Sequence, residues 1–181
     1  MSSTTRLLLP TAVIACGLAM SVEAHAALRY TYINLNPAAA CQLSIPTTDT
    51  QVRPKATGYR NESTTKSAFV ICGFGTPTDD GTALNANLYF HSIDGVSRDI
   101  SCTAVTGTEG LSQLVYSTKT VGSTAGGNAS AMGWTDYDFA AQGAPSYVNI
   151  RDGWAVSVTC NLPPLTSITL ANSKFQIEIG S

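Results

Sequence analysis

Cysteine limits most sharply what this chain can fold into: outside an apolar N-terminal run there are four, Cys41, Cys72, Cys102 and Cys160. An even number in an exported chain ordinarily pairs into disulfides, so export is the first question. Arg6 is the only charged residue ahead of an apolar run over 7–22, which breaks into Glu23-Ala24-His25-Ala26. A basic start, a short apolar stretch and small residues at 24 and 26 form the pattern of a signal peptide cut before Ala27. A lasting membrane helix needs about 20 apolar residues and a stop-transfer flank, and this run has neither. Val13-Ile14-Ala15-Cys16 also has the form of a lipobox, in which Cys16 would be lipidated and become the first mature residue. Apolar sequence continues past Cys16 and a small-x-small site follows, so ordinary cleavage is the expectation. The reading is therefore a leader over 1–26 and one domain over 27–181, secreted or periplasmic, with no transmembrane segment after the cut.

Four cysteines allow three pairings. Zinc is the rival use, but no C-x-x-C occurs and His91 is the only histidine beyond the leader, too few ligands for a closed site. Pairing Cys41 with Cys72 and Cys102 with Cys160 closes two loops without crossing, and is the arrangement expected here. Loops of roughly 30 and 60 residues would each stabilise by roughly 3–4.5 kcal/mol in the chain-entropy account. That is a large fraction of the net stability of an ordinary domain.

Alternation of period two dominates the rest, and helical period does not persist. Over 153–161, Trp154, Val156, Val158 and Cys160 point one way while Ala155, Ser157 and Thr159 point the other. Over 99–104, Ile100, Cys102 and Ala104 oppose Asp99, Ser101 and Thr103, so both cysteines of the second pair point inward. The stretch 67–74 is apolar on both faces, as in a central strand. Further strands are expected over 28–35, 56–61, 85–92, 111–117, 147–151, 167–171 and 174–179. Asp79-Asp80-Gly81, Asp94-Gly95, Gly126-Gly127-Asn128, Asp152-Gly153 and Pro163-Pro164 supply the turns between them. Short strands so punctuated predict an all-β fold, a two-sheet antiparallel β-sandwich of jelly-roll or Ig-like type. Charged residues are only 12% of the chain and the net charge is −2, with no cationic cluster to meet nucleic acid or an anionic membrane.

Several short motifs recur together: Cys41-Gln42, Gly58-Tyr59-Arg60-Asn61-Glu62-Ser63 and Val70-Ile71-Cys72 in the front half. The back half adds Asp94, Ile100-Ser101-Cys102, Val158-Thr159-Cys160-Asn161-Leu162-Pro163-Pro164, Ile168 and Glu178. Across nearly the whole mature chain this set resembles a group of uncharacterised exported bacterial proteins. It departs at Gly73, where such chains often carry Pro directly after the second cysteine. The resemblance implies a disulfide-bonded β-sandwich and brings no activity, ligand residues or cofactor with it.

Candidate sites are few. His91 is the one imidazole for acid–base work, and alternation puts it on the outer face beside Asn87 and Tyr89, where a histidine is more often simply solvated. A hydrolase near His91 would need an orienting acid and a nucleophile within reach, and no G-x-S-x-G elbow is present. Asp136 and Asp138, or Asp79 and Asp80, could offer oxygens to calcium, but neither stretch has EF-hand spacing and Asp-Gly ordinarily makes turns. Asp136 and Asp138 also pose the paired-acid question of glycoside hydrolysis, which their i, i+2 spacing does not answer.

The stretch 118–146 is rich in Gly, Ala and Ser and reads as long loops with one strand around 134–139, the region where function tends to sit. Trp134 and Tyr137, with Tyr147 nearby, are the candidate aromatics for an exposed platform for sugar rings or a protein partner, with a satellite core under a long loop as the equal alternative for Trp134. Trp154, which shares a face with Cys160, is expected in the core. Asn61-Glu62-Ser63 and Asn128-Ala129-Ser130 have the form of glycosylation acceptors. The leading expectation is a non-catalytic structural or adhesive domain at the cell surface or in the periplasm. A carbohydrate-binding module using the loop aromatics is the alternative, and another surface protein is the other partner considered.

Overall fold

The computed structural model describes residues 27–45, 51–75, 82–107, 114–124, 129–142 and 156–179. Along the chain run β1 (Ala27–Leu35), α1 (Pro37–Ala40), β2 (Cys41–Leu43), β3 (Val52–Lys55), β4 (Gly58–Asn61), β5 (Ala68–Phe74) and β6 (Thr82–Ser92). There follow β7 (Asp99–Thr106), β8 (Val115–Gly122), β9 (Ser130–Trp134), α2 (Asp136–Ala140), β10 (Val156–Leu162) and β11 (Thr166–Ile179). One sheet has the order β3-β4-β11-β6-β9 with β1 as its sixth strand on β11, and the other is five-stranded, β2-β5-β10-β7-β8. Every strand pairing within each sheet is antiparallel, and the two inner faces close on one another. The expected all-β sandwich is the fold.

Alternation builds the core. Leu88, Phe90, Trp134, Ile168 and Phe175 from the six-stranded sheet meet Val70, Ile100, Val158 and Leu162 from the other, all buried to 1% exposure or less. Burying such side chains contributes about 1.5–3 kcal/mol each before the entropy of ordering them is counted. Both expected disulfides are present, Cys41–Cys72 and Cys102–Cys160. Each joins residues directly opposite one another on neighbouring strands, β2 to β5 and β7 to β10. Both staples therefore lie within the five-stranded sheet, facing the core.

Departures from the expected elements have local causes. β3 carries Pro54, which removes a donor and argues against a strand, but β3 is the outermost strand of its row and needs bonds on one side only. Ala56 and Thr57 form the turn into β4 rather than part of it. Gly58, at φ +132°, lies against the Ile168 carbonyl, so closely that a side chain there would strike it. The two strands expected over 167–171 and 174–179 are one fourteen-residue strand, β11, which passes the polar Asn172-Ser173 pair because β1 and β6 flank it there. The strand expected over 134–139 is instead the end of β9 followed by α2. The strand expected over 147–151 and Trp154 lie outside the described residues.

Candidate functional site

Trp134 belongs to the core, the structure deciding between its two readings. It is fully buried because β9 alternates, sending Met132 and Trp134 inward and Ala131 and Gly133 outward. Its indole N–H donates to the Ser117 carbonyl of β8 at 3.1 Å, the partner a buried tryptophan requires. Tyr137, by contrast, is 85% exposed on α2, so the two aromatics share no platform. Tyr147 lies outside the described residues.

Asp138 is occupied rather than open to a cation. Its Oδ2 accepts the Thr135 backbone N–H at 2.8 Å, capping α2, and its Oδ1 lies 2.7 Å from Lys119 Nζ. Burial raises its carboxyl, but the Lys119 and Thr135 hydrogen bonds outweigh that, and it sits below the usual carboxylate range. Lys119 also donates to the Gly133 carbonyl at 2.6 Å, so it ties β8, β9 and α2 together. The side chain of Asp136, and Asp79 and Asp80, lie outside the described residues. Among the described residues no three His, Cys, Asp or Glu side chains gather as a metal site.

His91 stands on the outer face as expected, opposite Ser167 of β11. The Ser167 hydroxyl donates to the His91 backbone carbonyl at 3.4 Å, so this serine is bonded to the main chain and not to the imidazole. Beside them Arg53, Lys55 and Arg60 surround Glu62 at 3.1, 3.2 and 3.8 Å. Hydrogen bonds from Arg53 and Lys55 hold the Glu62 carboxyl below its ordinary value. Asn61 does not present an amide for glycosylation: it is buried, and its Nδ2 donates to the carbonyls of Lys66, Leu162 and Pro163 at 2.8, 2.9 and 3.0 Å. It fastens the β4–β5 connection to the β10–β11 turn. Asn128 lies outside the described residues.

The feature that sequence reasoning missed is the outer face of the six-stranded sheet. Register places Asn34 of β1, Asn172 of β11, Asn87 of β6 and Gly133 of β9 in one row across four adjacent strands. The amides are linked: Asn87 Nδ2 donates to Asn172 Oδ1 at 2.8 Å and to Asn85 Oδ1 at 3.1 Å, and Asn172 Nδ2 donates to Asn34 Oδ1 at 3.3 Å. Gly133 leaves the space in which the Asn87 Oδ1 lies, since a Cβ there would collide with it. The row spans three strand spacings, about 14 Å. At one end Tyr30 and Tyr32 stand out on β1, 57% and 59% exposed, with Lys174 Nζ over their rings at 4.5 and 5.7 Å. The alternation of Leu28, Tyr30 and Tyr32 was visible in the sequence. What placed it beside Asn172 was a pairing across nearly the whole domain.

An open depression of 310 Å³ lies on the other sheet, lined by Ala39, Ala40, Cys41, Gln42, Ile71, Gly73 and Ser157. Its lining holds no charged group. Two buried disulfides fit an oxidising compartment, and among the described residues no helix is long and apolar enough to cross a membrane. No family model, curated protein or solved structure matches the chain, so geometry alone carries the functional reading.

Proposed function

We propose that this is an exported, non-catalytic adhesive domain that holds its target on the outer face of the six-stranded sheet. The observation that carries the reading is the linked amide row Asn34–Asn172–Asn87, with Asn85 beside it. Asparagine is depleted in strands, so four on one sheet face call for a reason other than folding. Carboxamides both donate and accept hydrogen bonds without bringing charge, and the Tyr30 and Tyr32 rings at the end of the row offer apolar faces. Donors, acceptors and ring faces together on one sheet face suit an uncharged, hydroxyl-rich polymer, which makes a neutral polysaccharide the favoured target. The carbohydrate reading thus moves from the loop aromatics to the sheet. Export through the leader over 1–26 would bring such a face to the outside of the cell.

The test is retention of the exported protein on a panel of neutral polysaccharides, cellulose, chitin, mannan and β-glucan, against two double variants. Asn87→Ala/Asn172→Ala should lose retention at least about tenfold, the consequence of losing one or two hydrogen bonds at a contact. Thr103→Ala/Thr118→Ala, on the opposite sheet, should bind as the parent does. Failure of the parent to bind any of the four polymers removes the carbohydrate target.

A further inference from the structure

A sheet edge exposes a row of unpaired N–H and C=O groups, and folded proteins ordinarily blunt it with short strands, proline, bulges or charge. Here the other edges are blunted. β2 is three residues long and β3 four, with Pro54 between Arg53 and Lys55. β9 has five residues and turns directly into α2. β8 carries Lys119, whose ammonium reaches across to the Gly133 carbonyl. β1 is the exception. It is nine residues long, contains no proline, keeps unbroken register with β11 and has Arg29 as its only charge. No other strand of the described residues pairs with it, and Leu28, Tyr30 and Tyr32 are each more than half exposed along it.

We infer that the free edge of β1 is an interface for a second copy of this chain, joined by antiparallel pairing of β1 with β1 about a two-fold axis. Antiparallel pairing of identical strands is self-complementary, which is the condition for a closed dimer. The sequence around Thr31 is symmetric in the residues that matter, Tyr30-Thr31-Tyr32. With the axis at Thr31, Tyr30 of one copy stands opposite Tyr32 of the other, twice, as aromatic cross-strand pairs on the outer face. Lys174 of each copy lies over its own tyrosine pair, so the cations flank the seam rather than face each other across it. The two six-stranded sheets then form one continuous sheet, and their two amide rows present a doubled surface. The inference does not depend on the proposed carbohydrate target, because it rests on the edge and not on the ligand.

The register supplies its own test. Tyr30→Lys/Tyr32→Lys places like charges directly opposite each other at both cross-strand pairs, whereas Tyr30→Lys/Tyr32→Glu places opposite charges there. Both variants remove the same aromatic surface, and β1 lies at the edge, so both should fold, as circular dichroism would verify. Sedimentation equilibrium of the exported protein should show a dimer. The Lys/Lys variant should dissociate at least about tenfold more readily than the Lys/Glu variant. A monomeric parent at every concentration examined overturns the inference, as does a dimer that treats the two variants alike. Sedimentation of the Asn87→Ala/Asn172→Ala variant, which alters β6 and β11 and leaves β1 intact, should show the same dimer and so separates failure of the edge from failure of the amide row.

Discussion

The two outer faces of the sandwich are built from different residues although they cover one core. On the five-stranded sheet the solvent side carries Ser101 and Thr103 of β7, Thr118 and Thr120 of β8, and Ser157 and Thr159 of β10. Thr103 and Thr118 sit opposite each other with their hydroxyl oxygens 2.8 Å apart. Threonine suits a pleated surface, and Thr–Thr pairs across strands stabilise it. Phe69 and Tyr116 are also exposed on this face, and both disulfides lie directly beneath it. The six-stranded face carries exposed Tyr30 and Tyr32 together with Asn34, Asn85, Asn87 and Asn172, and asparagine is a residue that strand stability does not favour. One face holds the molecule together. The other carries the amide row on which the proposed contact rests.

If that division is right, the largest effects should come from residues under the faces and the smallest from the amide face itself. Trp134→Ala should cost about 3–5 kcal/mol, the range for truncating a core aromatic, read by urea unfolding. Tyr137→Ala, three residues away on α2, should stay within about 0.5 kcal/mol. A mild Trp134→Ala would mean that the ring is not the packing element its burial implies.

Cys102→Ser should cost about 2–5 kcal/mol, and non-reducing peptide mapping of the parent should link Cys41 to Cys72 and Cys102 to Cys160. Thermal stability unchanged by the substitution would remove the stapled sheet from the comparison. For the faces themselves, Asn87→Ala/Asn172→Ala should cost less than about 1 kcal/mol, since these amides lie on a solvated surface. A cost well above that would make the amide row a folding device and erase the contrast.

The corner where the sheets meet gives an effect of pH. Asp138 is held below its unfolded value by Lys119 and Thr135, so its contribution is complete above the unfolded carboxylate value of about 3.9 and is lost as pH falls through the folded one. Acidification from about pH 4 downward should therefore loosen α2 against β8. Trp134, whose ring lies 5.8 Å from Lys119 Nζ, would report this in its fluorescence. Asp138→Asn should flatten the transition, and a transition that the substitution leaves in place would assign it to another group.

Much of the fold follows from local chemistry that the sequence displays in order. Period-two alternation marked β7 and β10 and sent Cys102 and Cys160 inward, because side chains on a strand alternate strictly between faces, while a run apolar on both faces marked β5. The disulfide pairing followed from loops that do not cross. What sits on the far side of a strand is not local, and there the sequence ran out. Trp134 was read within a Gly-rich loop, but a ladder with β6 starting at Ala86↔Trp134 made it the last inward residue of β9. Asn61 read as a glycosylation acceptor until folding brought the carbonyls of Leu162 and Pro163 against it, across 101 and 102 positions of sequence. Asn34 and Asn172 meet only because the first and last strands pair across 138 positions. Alternation determines which residues share a face of one strand, but only strand order and register decide which strands lie side by side, and the amide row exists at that second level alone.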